Sequence, residues 1–361
     1  MGVKPSSLEI MELELKNYYQ GKKILVTGHT GFKGSWLSIW LKYLGAEVIG
    51  YALAPKTKQD NFCLSGLEKE LHHIEGDIRD AGNLKRVVDE VKPDVVFHLA
   101  AQPIVGESYA NPGETYDVNV MGTLNVLDAI RHQPSVKSGI MITSDKCYEN
   151  KEWSWGYREN DEMGGHDPYS SSKACCEILI SSYSRSFFKD DNQVIASVRA
   201  GNVIGGGDWN DGRIVPDCIR AIEKGDAIEL RSPLSTRPWQ HVLEPLSGYL
   251  LLGAKITTDP SRYCGSWNFG PSMDDIQTVE KLVETVIKNL GSGEWKDLSD
   301  RQVYHEANLL ALDVSKARHQ LDWKPNWHFE EAIAKTVEWY RDREKGSVYE
   351  LCLKQIKEYM N

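Results

Sequence analysis

No stretch of the chain approaches the roughly 18 consecutive apolar residues of a membrane-spanning helix, and no secretory signal is visible at its start. Internal repeats, low-complexity tracts and Cys/His groups at metal-ligand spacing are missing too, so neither a solenoid nor a structural metal site is expected. Cysteine is present seven times, an odd number scattered through predicted helices and strands, which fits reduced thiols better than a disulfide framework. The adjacent Cys175 and Cys176 face different directions on a helix and are expected to pack. Basic charge is also in deficit. A net charge of -10 repels a phosphate backbone and argues against nucleic acid as a partner, so an anionic small substrate has to be met by local arginines. The opening Met1-Gly2 with Ser6 formally fits an acylation signal, but Lys4-Pro5 and the lack of a basic patch make that a chance match. The expectation is a cytoplasmic protein with no membrane and no metal.

With 361 residues, 41% of them apolar, the chain can bury the core of one large domain or two smaller ones. Residues 1–20 read as an extra amphipathic helix or a frayed leader. Then Lys23-Ile24-Leu25-Val26-Thr27 is a β-branched strand, followed by Gly28, Gly31 and Gly34 and a long apolar helix ending near Gly45. Glycines in that setting serve a tight turn, the approach of backbone to a pyrophosphate at a helix N-terminus, and close helix-strand packing. A dinucleotide site is predicted there, with Phe32 in the loop. The second strand, Glu47 to Leu53, lacks the acidic residue that usually binds the adenosine ribose. Lys56 and Lys58 lie nearby, so NAD and NADP both stay open on this feature. Asp77 and Ile78 follow a third strand, with Asp77 placed to accept a hydrogen bond from an adenine amino group and Asp80 a helix N-cap. Val95 to His98 is an apolar central strand whose tip, Leu99-Ala100-Ala101-Gln102, passes under a cofactor; His98 reads as a packed core histidine.

A helix from Glu114 to His132 carries Asn119, and the strand from Gly139 to Thr143 delivers Ser144-Asp145-Lys146. Tyr169 and Lys173 are four apart on a following helix, hence on one face. An ammonium beside a phenol favours the phenolate, lowering its pKa toward the range of a general base. The glycine loop, the tip after Leu99, Ser144-Asp145-Lys146 and Tyr169 all fall at the carboxyl ends of strands or follow them, where a doubly wound parallel sheet binds ligands. After the last clear strand, Gln193 to Arg199, the rhythm loosens. A loop with Gly201-Asn202, a helix near Ile214 to Lys224, a strand at Ile228 to Leu230, Arg237-Pro-Trp-Gln-His241, a helix near Glu244 to Ala254, a strand ending at Gly270 and two late amphipathic helices read as a cap. The chain divides accordingly into an extension (1–20), a dinucleotide-binding domain (21–200) and a mainly substrate-binding α/β domain (201–361). Arg213, Arg220, Arg231, Arg237 and Arg262 are the cap's candidates for an anionic group, with Arg237 first and Arg213 next.

Thr27-Gly28-x-x-Gly31-Phe32-x-Gly34, Leu99-Ala100-Ala101-Gln102, Tyr169-x-x-x-Lys173 and the late Asp313-Val-Ser-Lys-Ala…Leu321-x-Trp323-x-Pro325 resemble the extended short-chain dehydrogenase/reductase family over nearly the whole chain. The tandem Ser144-Asp145-Lys146 is similar to that of its nucleotide-sugar 4,6-dehydratases, with Lys where a Glu is usual. The resemblance implies a Rossmann-type fold and NAD, bound by Gly28, Gly31, Phe32, Gly34, Asp77, Ile78, Leu99, Ala100, Ala101, Asn119, Tyr169 and Lys173. It implies a nucleotide-linked glucose as substrate, CDP-D-glucose in particular, held by Gln102, Asn202, Arg213, Arg237 and His241. Catalysis falls to Ser144, Asp145, Lys146, Tyr169 and Lys173, and a homodimer or dimer of dimers forms through the helices 114–132 and 170–188. The rival readings are a 4-epimerase, which needs no acid to expel water, and a non-catalytic cofactor-binding scaffold.

Overall fold

Apolar residues alternate along each central strand, and the alternation sorts them to opposite sides of one sheet. Ile24 and Val26 pack in one core with Val95, Phe97, Ile140, Ile142, Val194, Ala196 and Val198, while Leu25, Val96, Met141 and Ile195 between them pack in the other. Both faces are therefore covered, as a parallel sheet requires. The structure is a computed structural model that describes residues 7–188, 192–299 and 309–361.

Seven strands, β1 (Lys23–Thr27), β2 (Glu47–Ala52), β3 (His72–Glu75), β4 (Val95–His98), β5 (Ser138–Ile142), β6 (Val194–Ala200) and β7 (Gly265–Phe269), form the main sheet. Their spatial order is β3-β2-β1-β4-β5-β6-β7 and every pairing is parallel. The expected doubly wound α/β sheet is present, and the chain reverses direction across it between β1 and β4. One correction is topological. The sequence reading ended the sheet at Arg199, but Gly265–Phe269, from the half read as a cap, pairs with Val194–Ala200 as its seventh strand.

The longer helices are α1 (Ser7–Tyr19), α2 (Phe32–Tyr43), α3 (Ala81–Val91), α4 (Gly122–His132), α5 (Pro168–Phe187), α6 (Ile214–Lys224), α7 (Leu243–Lys255), α8 (Val279–Leu290), α9 (Phe329–Asp342) and α10 (Val348–Met360). The opening segment is a docked helix: Leu15 and Tyr19 are fully buried, and the Tyr19 hydroxyl donates to the Leu250 carbonyl at 2.8 Å. Asp80 caps α3 by accepting from the Asn83 N–H, as read from sequence, and α5 starts on Asp167, which accepts from Ser170 N–H, with Pro168 next. Ahead of α4, residues Asp117–Met121 form a single π turn between Pro112–Tyr116 and Gly122, a feature that periodicity does not signal. The last helix, α10, was not foreseen. Its Tyr359 ring meets Trp40 of α2 edge-on at 5.7 Å, and its Cys352 reaches Asn61.

Candidate functional site

The glycine loop is shaped by two close approaches. Gly28 has φ +76°, and a Cβ there would lie 2.6 Å from the Ala100 N, while one on Gly34 would lie 2.1 Å from the Gly28 carbonyl. Any larger residue at either position would push β1's tip off β4 or lift α2 from the loop. Gly31, exposed, is the N-cap of α2 and makes no side-chain cap hydrogen bond, so α2 starts at the carboxyl end of β1 with its first N–H groups left for a ligand or solvent. Phe32 lies against the backbone at Gly205.

Several expected cofactor contacts are placed differently from the reading. Both Asp77 oxygens are engaged by Arg79, through its backbone N–H at 2.8 Å and its guanidinium at 2.6 and 2.9 Å, and these bonds hold the Asp77 pKa below the usual value against its burial. Asn119, in the π turn, is a bracket. Its oxygen accepts from Gln102 N–H at 2.8 Å and its amide donates to Ser172 at 2.9 Å, tying the loop after β4 to α5. Gln102 itself, expected on substrate, donates to Thr115 at 2.9 Å and accepts from Ile104 N–H, so its side chain shapes its own loop. Ile78 is buried against Gly122, and Leu99 and Ala100 lie against the Gly28 turn. His98 bridges Thr27 at 2.7 Å and Thr123 at 3.0 Å; burial, then Lys173, pulls it down to about 3, so it is a neutral core residue.

The catalytic candidates do converge. Ser144 begins a short 3-10 turn, Asp145–Cys147, by accepting from the Lys146 N–H, and its hydroxyl donates to Asp145 Oδ1 at 3.1 Å. Asp145 is 4% exposed and its Oδ2 has no hydrogen-bond partner. Burial raises its pKa, opposed by Lys146, Ser144, Arg237 and Lys33 in that order. Tyr169, Lys173 and Glu177 form one face of α5. The direction of the Tyr169 shift corrects the sequence reading: burial pushes it up to about 12, and the groups that pull it back are Ser144 and Arg213, not Lys173. Lys173 is 5% exposed and makes no hydrogen bond within the described protein. Burial lowers its pKa, offset by Cys176, Glu177 and Cys147.

Beneath this face lies a network with no sequence signature. Glu177 accepts from Arg199 at 2.6 Å, Ser197 at 2.7 Å and Ser266 at 3.2 Å, and also from Thr143. Arg199 in turn donates to the Tyr148 hydroxyl at 2.6 Å, and Tyr148 to Asn268 at 2.8 Å. Three neighbouring strands, β5, β6 and β7, and α5 are thereby joined under Ser144-Asp145-Lys146. Above Tyr148 the rings of Tyr157, Trp153 and Trp155 stack outward at 5.2, 5.3 and 5.2 Å to the surface.

Of the five cap arginines, Arg220 pairs with Asp211 and Asp217, Arg262 donates to the Gln320 carbonyl, and Arg231 is exposed. Arg213, the N-cap of α6, acts on Tyr169 and Arg237 acts on Asp145, so these two border the reacting groups. Gly201, beside Asn202, abuts Asp145: a Cβ there would lie 3.2 Å from its Oδ2. His241 is a correction. It is fully buried between Trp36 and Trp327, 5.9 and 4.9 Å away, and burial, then Lys335, pulls it down to about 3; it packs the core. No group of metal-ligating side chains and no helix able to cross a membrane occurs among the described residues.

The groups in place suit a bound NAD: a two-glycine cradle, an α2 N-terminus that its N-cap residue does not cap by side chain, and a buried Lys173 ammonium with no hydrogen bond among the described residues. The chain matches the GDP-mannose 4,6 dehydratase family over residues 25–336. It is 46% identical to the CDP-glucose 4,6-dehydratase of Salmonella typhimurium across 96% of this chain and 98% of that one, and 27% identical to the human dTDP-D-glucose 4,6-dehydratase across 89% and 90%. Among solved structures, an epimerase of Methanothermobacter thermautotrophicus superposes with a TM-score of 0.80 at 23% identity, over 97% and 99% of the two chains. The dTDP-glucose 4,6-dehydratase of Bacillus anthracis in complex with NAD does so with 0.74 at 22%, over 90% and 98%. Coverage on this scale leaves no part of the site outside the match: the chain belongs to the GDP-mannose 4,6 dehydratase family of extended short-chain dehydrogenase/reductases.

Proposed function

We propose that this protein is a CDP-D-glucose 4,6-dehydratase, converting the nucleotide-linked glucose to its 4-keto-6-deoxy derivative with loss of water. The observation that carries the reading is the pairing of a phenol with a buried carboxyl: Tyr169 and Asp145 share the carboxyl end of β5, and Asp145 Oδ2 is free to donate a proton. An epimerase has no use for that acid. Gly28, Gly31, Gly34 and Lys173 would hold NAD, which would supply the acceptor for the sugar's carbon-4 hydride and its donor to carbon 6.

Tyr169 removes the 4-hydroxyl proton while Ser144 hydrogen-bonds the same oxygen. The resting phenol sits at about 12, so the proton transfer depends on the groups that pull it down, the Ser144 hydroxyl and the positive charge of Arg213. The new ketone acidifies carbon 5. Asp145, kept protonated more readily than an exposed carboxyl by its burial, then gives its proton to the departing 6-hydroxyl. Lys146 is the strongest charge opposing that protonation, which favours an electrostatic role for it on the enolate. Arg237 and Arg213 are the best-placed groups for the substrate diphosphate. Met121, Ile178 (61% exposed) and Phe187 leave an apolar stripe on the helices at 112–132 and α5, which supports pairing of two copies through those helices. The test is incubation with CDP-, dTDP-, UDP- and GDP-linked hexoses. The proposal requires a product lighter by one water from CDP-D-glucose, with no net accumulation of NADH. A 4-epimer of unchanged mass would replace this reading with the epimerase one.

A further inference from the structure

Gly201 is a glycine that its backbone does not call for. It follows β6 directly and its φ is not positive, so the left-handed conformation that favours glycine is not what placed it there. What a side chain would meet is more telling. A Cβ at 201 would lie 2.8 Å from Cγ of the buried Pro238 and 3.2 Å from Oδ2 of Asp145. The second neighbour is the free end of the acid. Asp145 Oδ1 accepts from the Ser144 hydroxyl at 3.1 Å, whereas Oδ2, on the other side of the carboxyl, is buried with no hydrogen-bond partner. A buried polar atom left unpaired is costly and calls for a reason. The space that Gly201 leaves open lies beside that same atom.

We propose that Gly201 determines access to the acid: its missing side chain is the space in which the sugar's carbon-6 hydroxyl meets Asp145 Oδ2. The inference rests on the dehydratase reading and names the residue that separates elimination from oxidation within it. With the 4-hydroxyl at Ser144 and Tyr169, the sugar starts on the Oδ1 side of the Asp145 carboxyl, and carbon 6, two bonds from carbon 4, extends toward the opposite edge. There the proton passes from Oδ2 to the hydroxyl oxygen, the carbon-oxygen bond breaks with its electron pair on oxygen, and water leaves; Gly201 changes no bond. A methyl carbon 3.2 Å from Oδ2 would stand at nearly the distance the hydroxyl oxygen must itself adopt, and so compete with it for the same place. Oxidation at carbon 4 uses Tyr169 and Ser144, on the other side, and is left free.

Packing against Pro238 alone makes a different forecast, and the experiment separates the two. The full chain with NAD is assayed in single turnovers of CDP-D-glucose, with oxidation read from cofactor absorbance and elimination from product mass. Gly201→Ala should slow loss of water by at least about tenfold while oxidation continues, so that reduced cofactor accumulates. A CDP-linked pentose, which has no carbon 6, should be oxidised by Gly201→Ala as fast as by wild type. Gly201→Ala/Pro238→Ala relieves the contact with the proline ring, since the Cβ left at 238 lies 3.6 Å away, but keeps the methyl beside Asp145. It should therefore eliminate water more slowly than Pro238→Ala by the same factor, and it carries the test if Gly201→Ala alone is too unstable to assay. Elimination by Gly201→Ala at the wild-type rate, equal losses in oxidation and elimination, or a double variant as fast as Pro238→Ala overturns the proposal. If wild type itself yields no dehydrated product from CDP-D-glucose, the proposed function fails and this inference with it, whereas wild-type turnover with any of those three results removes this inference alone.

Discussion

Removing Glu177 tests whether the buried network, and not the helix alone, holds the catalytic face in place. Glu177 and Arg199 are each 2% exposed, and Glu177→Ala leaves the guanidinium of Arg199 buried with its charge uncompensated. Breaking a buried pair from one side costs about 3–5 kcal/mol, and three hydroxyls, on Thr143, Ser197 and Ser266, lose their acceptor too. At roughly 2–3 °C per kcal/mol for a large chain, the midpoint of thermal unfolding should fall by about 6–15 °C. The double variant Glu177→Leu/Arg199→Met removes both charges and should recover more than half of that loss, because an apolar replacement of the pair spares their desolvation. The assay is thermal unfolding by circular dichroism at one protein concentration, since any self-association would shift the midpoint. The pH dependence has a definite sign. Burial pushes Glu177 up, but Arg199, Thr143 and Ser197 bring it below the usual carboxylate value, so its stabilisation is present above its unfolded pKa of ~4.3 and is lost as pH falls through the lower folded value. A Glu177→Ala protein that melts within 2 °C of wild type (~1 kcal/mol), or a double variant worse than the single, would refute the reasoning.

Three further outcomes follow from the site. Tyr169→Phe should abolish oxidation by on the order of 10²-fold or more, read as loss of deuterium transfer from carbon 4, with NAD binding by calorimetry little changed. Asp145→Asn should leave oxidation partly intact and slow water loss by a similar factor; elimination at the wild-type rate would remove Asp145 from the mechanism. Arg237→Lys keeps the charge but not the planar fork, and should raise KM for CDP-D-glucose by about 1–3 kcal/mol of lost binding while sparing NAD affinity. An unchanged KM would move the diphosphate to Arg213.

Much of the frame was legible because it rests on local signals. The short apolar runs of β1, β4 and β5, the glycines at 28 and 34 and the Asp80 cap are each dictated by a few neighbouring residues. What escaped depends on residues far apart in the chain. Gly265–Phe269 looks like a cap strand until it meets Val194–Ala200, and Glu177 carries no signal of its own until Arg199 is placed beside it. His241 looked like a substrate ligand from its place after Arg237-Pro-Trp, whereas two distant tryptophans, Trp36 and Trp327, enclose it. The Tyr169 shift was misjudged for a related reason: helical spacing puts Lys173 on its face, but spacing carries no information on burial, which raises the phenol's pKa.

The docking of α10 on α2 bears on how the chain reaches its native state in a cell. The glycine-loop helix is synthesised early, with Trp36 and Trp40 on the face it must bury, but one surface that covers it, α10 with Tyr359, is made some three hundred residues later. The seventh strand arrives late as well. During translation the nascent nucleotide-binding half therefore exposes tryptophan-rich surface and an unpaired β6 edge, the condition in which chains recruit chaperones or aggregate. Shortening the chain before Val348 would make that transient state permanent.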